Sequence, residues 1–187
     1  PLSVATLASR SCELEHKGST WKLLETMASP GSLYAAKLAW GALVLAALLV
    51  LRSGLFLAVG IVQGFQGEIP WGRFGLFTLI SWGVSMMVYA LQQGLSLRFA
   101  NQAAALVCGI SGSFLGILSM LFPPALVRCV PWGYYGLMSL VFMDWNQVTR
   151  VTRFYWRWPP VTDVALLFLW GAVFLIVGRT LFVRKEV

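Results

Sequence analysis

The sequence predicts an all-α fold, a polytopic membrane helix bundle with four spans. Three observations predict it. Hydrophobic residues make up 58% of the 187 and charged residues 11%, far below the roughly one quarter charged of a soluble domain. The apolar residues fall into blocks about as long as a bilayer-spanning helix, roughly 20 residues. The basic residues lie between those blocks rather than on one soluble face, so the net charge of +7 reads as membrane topology and not as a nucleic-acid surface.

The chain opens on Pro1, and residues 1–8 have no basic start followed by an apolar run and a cleavage site, so they are not a signal peptide. We read them as the tail of a preceding span in a chain truncated at its N-terminus. Residues 1–37 then form the end of that span and a charged loop, and residues 38–187 the transmembrane domain. Within the loop, Ser19 or Thr20 can cap a short helix whose apolar positions Trp21, Leu24 and Met27 or Ala28 recur at three to four residues. Lys22, Glu25 and Thr26 take its polar positions, and Ser29, Pro30 and Gly31 end it. Such a helix either rests on the lipid surface or docks a cytoplasmic partner.

Four spans follow, over 38–62, 74–91, 103–122 and 164–183. The first is interrupted by Arg52, Ser53 and Gly54, but its length favours one helix over a re-entrant pair. Arg52 falls near its middle, where an exposed charge costs at least about 2.5 kcal/mol, so it must face protein or water. Substrate contact, snorkelling and pairing with an acid of an absent span are all open to it. The third span carries "CGISGSFLG", in which Gly109 and Ser113, and Gly112 and Gly116, are small residues four apart. That spacing lets helix backbones approach closely in lipid, within one subunit or across a dimer seam. The segment 123–160 is bounded by prolines and rich in aromatic residues, Tyr134, Tyr135, Trp145, Tyr155, Trp156 and Trp158 among them. These suit the membrane interface, and we expect short, partly inserted hairpin helices there.

The basic residues set an orientation. Arg10, Lys17, Lys22, Lys37, Arg98, Arg184 and Lys185 place the first loop and the C-terminal tail in the cytoplasm, and 123–160 outside. On that outer side Glu68, Asp144 and Asp163 could meet a cationic peptide, with neighbouring arginines opposing the attraction.

Membrane enzymes need groups this chain lacks. It has no HExxH zinc motif, Asp144 and Asp163 lie outside the expected spans, and its one histidine, His16, sits among loop charges. Cys12, Cys108 and Cys129 are too scattered for a disulfide framework or a metal site. A noncatalytic scaffold or membrane anchor fits the composition as well as a transporter does.

The loop "ELEHKGSTWKLLETMASPGSLYAAKL" separates these readings, because it resembles the cytoplasmic loop of ABC transporter type-2 permeases, and most of all the lantibiotic-immunity branch. Glu13, Glu15, Thr20, Trp21, Lys22, Pro30 and Lys37 carry the resemblance, while Gly31 and Ser32 stand where a basic residue often follows the proline. The resemblance implies six spans, of which this chain holds spans three to six, with the coupling helix between spans two and three. It implies an ATPase-coupling loop formed by Glu13, Glu15, Thr20, Trp21, Lys22 and Leu24. It further implies a bacterial cytoplasmic-membrane exporter that moves an antimicrobial peptide of the lantibiotic or bacitracin type, works with an ABC ATPase subunit and pairs with a second permease copy or a paralogous one. No GxxxxGK[ST] phosphate loop occurs in the sequence, so ATP is expected on the separate ATPase polypeptide, with no catalytic residue, cofactor or metal held by this chain.

Overall fold

The computed structural model describes residues 1–18, 28–99, 101–147 and 149–184, without the side chains of 14–18. Helix α1 spans Leu2–Gly18, and α2, Pro30–Val62, is continuous through Arg52, Ser53 and Gly54. Helix α3 follows over Trp71–Arg98 and α4 over Gln102–Leu118, the latter extended by a 3-10 turn, Ser119–Leu121. Two helical turns, α5 at Pro124–Val127 and α6 at Tyr134–Leu137, precede an antiparallel hairpin of β1, Val141–Asn146, and β2, Val151–Trp156. Helix α7, Val161–Val183, closes the bundle. Four of these helices are long and apolar enough to cross a membrane.

Helix α1 runs on through Glu13 and Glu15 to Gly18, α3 starts at Trp71 and α7 at Val161, a few residues outside the expected bounds, and three larger departures have a physical reason. Helix α2 begins at Pro30, eight residues before the apolar block. Pro30 occupies its first turn, where no amide hydrogen bond is lost, and Ser29 caps it by accepting from the Ser32 amide at 3.4 Å. Pro30 is therefore the start of a span helix. Helix α3 runs on past Leu91 through Gln92, Gln93 and Ser96, all fully buried, because amides that face neighbouring helices need no lipid-compatible side chain. The largest departure is in 123–160, where short hairpin helices are expected and Val141–Asn146 and Val151–Trp156 form β-strands. There the β-branched and aromatic residues Val141, Phe142, Trp145, Val151, Thr152, Phe154, Tyr155 and Trp156 favour extended pairing. Asn146 holds the turn by accepting from the Thr149 amide at 3.1 Å, and Arg150 takes a left-handed φ of 52°.

Helix α3 is the centre of the bundle. Val84, Met87, Val88 and Tyr89 pack against Val4 and Ala8 of α1, Leu45 of α2, Tyr134 and Met138 of the inserted turns, and Leu167 of α7. On α1 the buried residues Val4, Ala8 and Cys12 recur every fourth position, one face of a helix. Close approach is made by glycine. A Cβ at Gly41 would lie 2.2 Å from the Tyr89 ring, and one at Gly94 would lie 3.5 Å from the Gly178 backbone.

Candidate functional site

Three polar clusters interrupt this apolar bundle, one near each end and one between. The first lies beneath the charged loop. Lys37 of α2 donates to the Ser11 carbonyl of α1 at 2.5 Å. The buried Tyr89 of α3 donates to the Lys37 carbonyl at 3.2 Å, and its hydroxyl stands 3.4 Å from the Ser11 hydroxyl. The helices that lead into and out of the loop are thus joined to each other and to the central helix. Nearby, Glu13 pairs with the exposed Arg10 at 2.7 Å. The remaining coupling-loop residues fall outside this description: Thr20, Trp21, Lys22 and Leu24 are not among the described residues, nor is the side chain of Glu15.

Next to this clamp, Gln92 donates to the Ala105 carbonyl of α4 at 2.6 Å and Gln93 to the Tyr34 carbonyl of α2 at 3.3 Å. Among the described residues, the buried Gln92 and Gln93 side-chain oxygens and the Tyr34 hydroxyl have no hydrogen-bond partner.

The second cluster surrounds Arg52. Its guanidinium reaches the Ser81 hydroxyl at 3.4 Å and lies 5.5 Å from the Phe77 ring centre and 5.9 Å from that of Phe56. Among the described residues its buried Nε has no hydrogen-bond partner and no carboxylate pairs with it. The aromatic faces replace part of the lost hydration, as cation–π contacts do. Ser53 and Thr78 share a hydrogen bond of 2.9 Å one step along, and Ser85 and Tyr135 one of 3.0 Å. Tyr135 comes from α6, so the inserted turns reach down to the middle of α3.

The third cluster is on the hairpin side. Arg128 donates from Nε to Asp163 at 2.5 Å, and Asp163, in the first turn of α7, is 2% exposed. That hydrogen bond, with the attraction behind it, holds the guanidinium further in its charged form. The Arg128 carbonyl accepts from both Tyr134 at 3.2 Å and Trp170 at 3.1 Å. Of the acids considered for a cationic peptide, Asp163 is therefore enclosed, and Asp144 stands opposite Arg153 across the hairpin. A cleft of about 350 Å³ opens beside the ion pair, lined by Met120, Phe122, Val127, Leu137, Phe142 and Arg157.

The small residues of α4 join these ends. Gly109 faces Ala5 and Gln92, while Gly112 and Gly116 lie against Trp132, whose ring atoms would stand 2.3 Å from a Cβ at Gly112. Ser113 turns back to the Gly109 carbonyl at 2.7 Å. Sequence reasoning singled out these glycines, Arg52 and Lys37, and missed their partners. Gln92–Gln93 at the edge of an apolar block was a readable signal of a protein-facing surface. Tyr89 and Trp132 carried no such signal.

Among the described residues no group of three or more His, Cys, Asp or Glu side chains could hold a metal ion. Neither the curated proteins nor the solved structures gave a match to the chain. Residues 1–119 match the family described as "ABC-2 family transporter protein", a region that holds α1 to α4 and with them the loop-side clamp, Arg52 and the small residues of α4. The chain thus belongs to the ABC-2 transporter family, as a multi-pass membrane protein.

Proposed function

We propose that the chain is the permease subunit of an ATP-driven exporter in a bacterial cytoplasmic membrane. Its ATPase is a separate polypeptide that seats against the loop after α1, and a second permease copy or a paralogue completes the pathway. Its cargo is an antimicrobial peptide of the lantibiotic or bacitracin type, expelled from the membrane for self-protection. The chain itself binds no nucleotide, cofactor or metal.

The observation that supports this reading is the clamp of Lys37, Ser11 and Tyr89. A force on the loop would act on α1 and α2 together, and Tyr89 would pass it to the central helix. The test is survival. Expressed with its ATPase in a sensitive bacterium, the permease should raise the tolerated lantibiotic concentration several-fold over the same pair with an ATPase unable to hydrolyse ATP. Equal sensitivity of both strains to lantibiotics and to bacitracin would refute the cargo.

A further inference from the structure

The β1–β2 hairpin sorts its side chains by chemistry. In its register Val141 faces Trp156, Met143 faces Phe154 and Trp145 faces Thr152, and opposed residues project from the same face of a two-stranded sheet. That face is apolar except for one threonine hydroxyl. Its large residues stand open, Met143 62% exposed, Phe154 71% and Trp156 48%. The opposite face is mixed, with Asp144, Asn146 and Arg153 together with Phe142, Val151 and Tyr155. Phe142, at the root of that face, lines the cleft beside Arg128 and Asp163. Both faces meet the bundle at the root, the apolar one where Trp156 lies against Arg73, and beyond the root the apolar face with Met143, Trp145 and Phe154 stands open.

An isolated two-stranded hairpin is at best marginally stable in water, and among the described residues the apolar side of this one is open beyond Arg73 at its root. Its root is fixed at the level where the spans begin. The Arg73 guanidinium, in the first turn of α3, lies 5.0 Å from the centre of the Trp156 ring. The Arg157 amide donates to the Leu140 carbonyl at 3.0 Å, and α7 starts four residues further on. A strand of six residues reaches about 20 Å from that root, far enough to lie along the headgroup layer.

The charges around it select the partner. Arg73 and Arg157 stand at the root of the hairpin, over Trp156 and Phe142, and Arg150 at its turn, whereas Arg153 faces Asp144 and the other described acids on this side are Glu68 and Asp163, which is enclosed by Arg128. A second copy would bring arginines to arginines. A layer of lipid phosphates would be complementary, with tryptophan and phenylalanine below it in the setting that interfacial aromatic residues favour. We infer that the hairpin is a membrane-surface anchor, its Val141, Met143, Trp145, Phe154 and Trp156 face set into the lipid interface and its arginines on anionic headgroups. This inference is independent of what the protein transports.

Spin-label accessibility tests it. Cys108 and Cys129 are replaced by Ala, and single labels are placed through Met143→Cys, Phe154→Cys or Asp144→Cys in the full-length protein, reconstituted in vesicles of phosphatidylcholine and phosphatidylglycerol. Labels at 143 and 154 should collide with dissolved oxygen several-fold more often than with a water-soluble nickel chelate, and the label at 144 should show the reverse. In vesicles of phosphatidylcholine alone the preference for oxygen at 143 and 154 should fall. Free nickel access at 143 and 154 would leave the hairpin in water and overturn the inference. Exclusion of both reagents would mean a protein partner covers the face, which also overturns it. An unchanged preference in phosphatidylcholine would overturn the part assigned to the arginines.

Discussion

Lys37 of α2 reaches 2.5 Å from its ammonium to the carbonyl oxygen of Ser11 on α1, and this contact joins the two helices on either side of the charged loop. A hydrogen bond from a charged donor contributes roughly 1.5–3 kcal/mol. Lys37→Met keeps the length of the side chain and removes the donor. It should lower the thermal midpoint of the purified protein and, in the exporter, reduce transport more than ATPase binding. Lys37→Arg should recover part of both. Transport unaffected by Lys37→Met would show that the loop does not act through this contact.

Among the described residues, Arg128 is the ion-pair partner of Asp163, an acid that is almost fully enclosed. Arg128→Ala would leave the Asp163 carboxylate buried and unpaired, a change that commonly costs about 3 kcal/mol. The double variant Arg128→Leu with Asp163→Leu should regain most of that loss, because it removes the buried charge along with its partner. Thermal denaturation of the three proteins checks this, and equal destabilisation of the single and double variants would contradict it.

Gly112 presents backbone to the Trp132 ring. Gly112→Leu places a branched side chain where even a Cβ would fall 2.3 Å from the indole, and overpacking of this kind costs roughly 1–3 kcal/mol. Assembled yield and thermal stability should both fall. Neither would change if Trp132 could swing away at no cost.

The parts of the fold that follow from hydrophobic periodicity were legible in the sequence. The four spans stand where the apolar blocks are, since lipid-facing helices have few other solutions. Their ends were not. Pro30 reads as a stop when met after a polar helix, but it starts α2 because Ser29 caps the turn that follows. Gln92 and Gln93 look like the end of a span but are buried against α4 and α2. The strands at 141–156 were hidden by expectation of helices in a membrane chain, although their alternation of Met143 and Trp145 with Asp144 and Asn146 was there to be read. Of the site, Arg52, Lys37 and the glycines stood out by residue type. Tyr89 and Trp132, one aromatic residue among many, acquire meaning through their positions across the bundle.

Orientation has a direct check in a native residue. Cys129 is exposed on the hairpin side, Cys12 is buried, and Cys108 lies within α4. On intact cells a membrane-impermeant maleimide should label the protein, and Cys129→Ala should abolish the labelling. Labelling of Cys129 that begins after permeabilisation would place the hairpin side in the cytoplasm, against the orientation expected from Arg and Lys.

The central claim is that an ATPase drives this permease through the loop after α1, and Trp21 is the residue on which it turns. An aromatic anchor seated in a partner groove accounts for about 2 kcal/mol of binding, so its removal should weaken the complex some thirtyfold. The measurement is co-purification of the full-length permease with its ATPase, together with permease-stimulated ATP hydrolysis, for Trp21→Ala against His16→Ala. The account predicts that Trp21→Ala loses the ATPase and the stimulation while the membrane helices keep their thermal stability, and that His16→Ala retains both. Equal retention and equal hydrolysis in the two variants would contradict it.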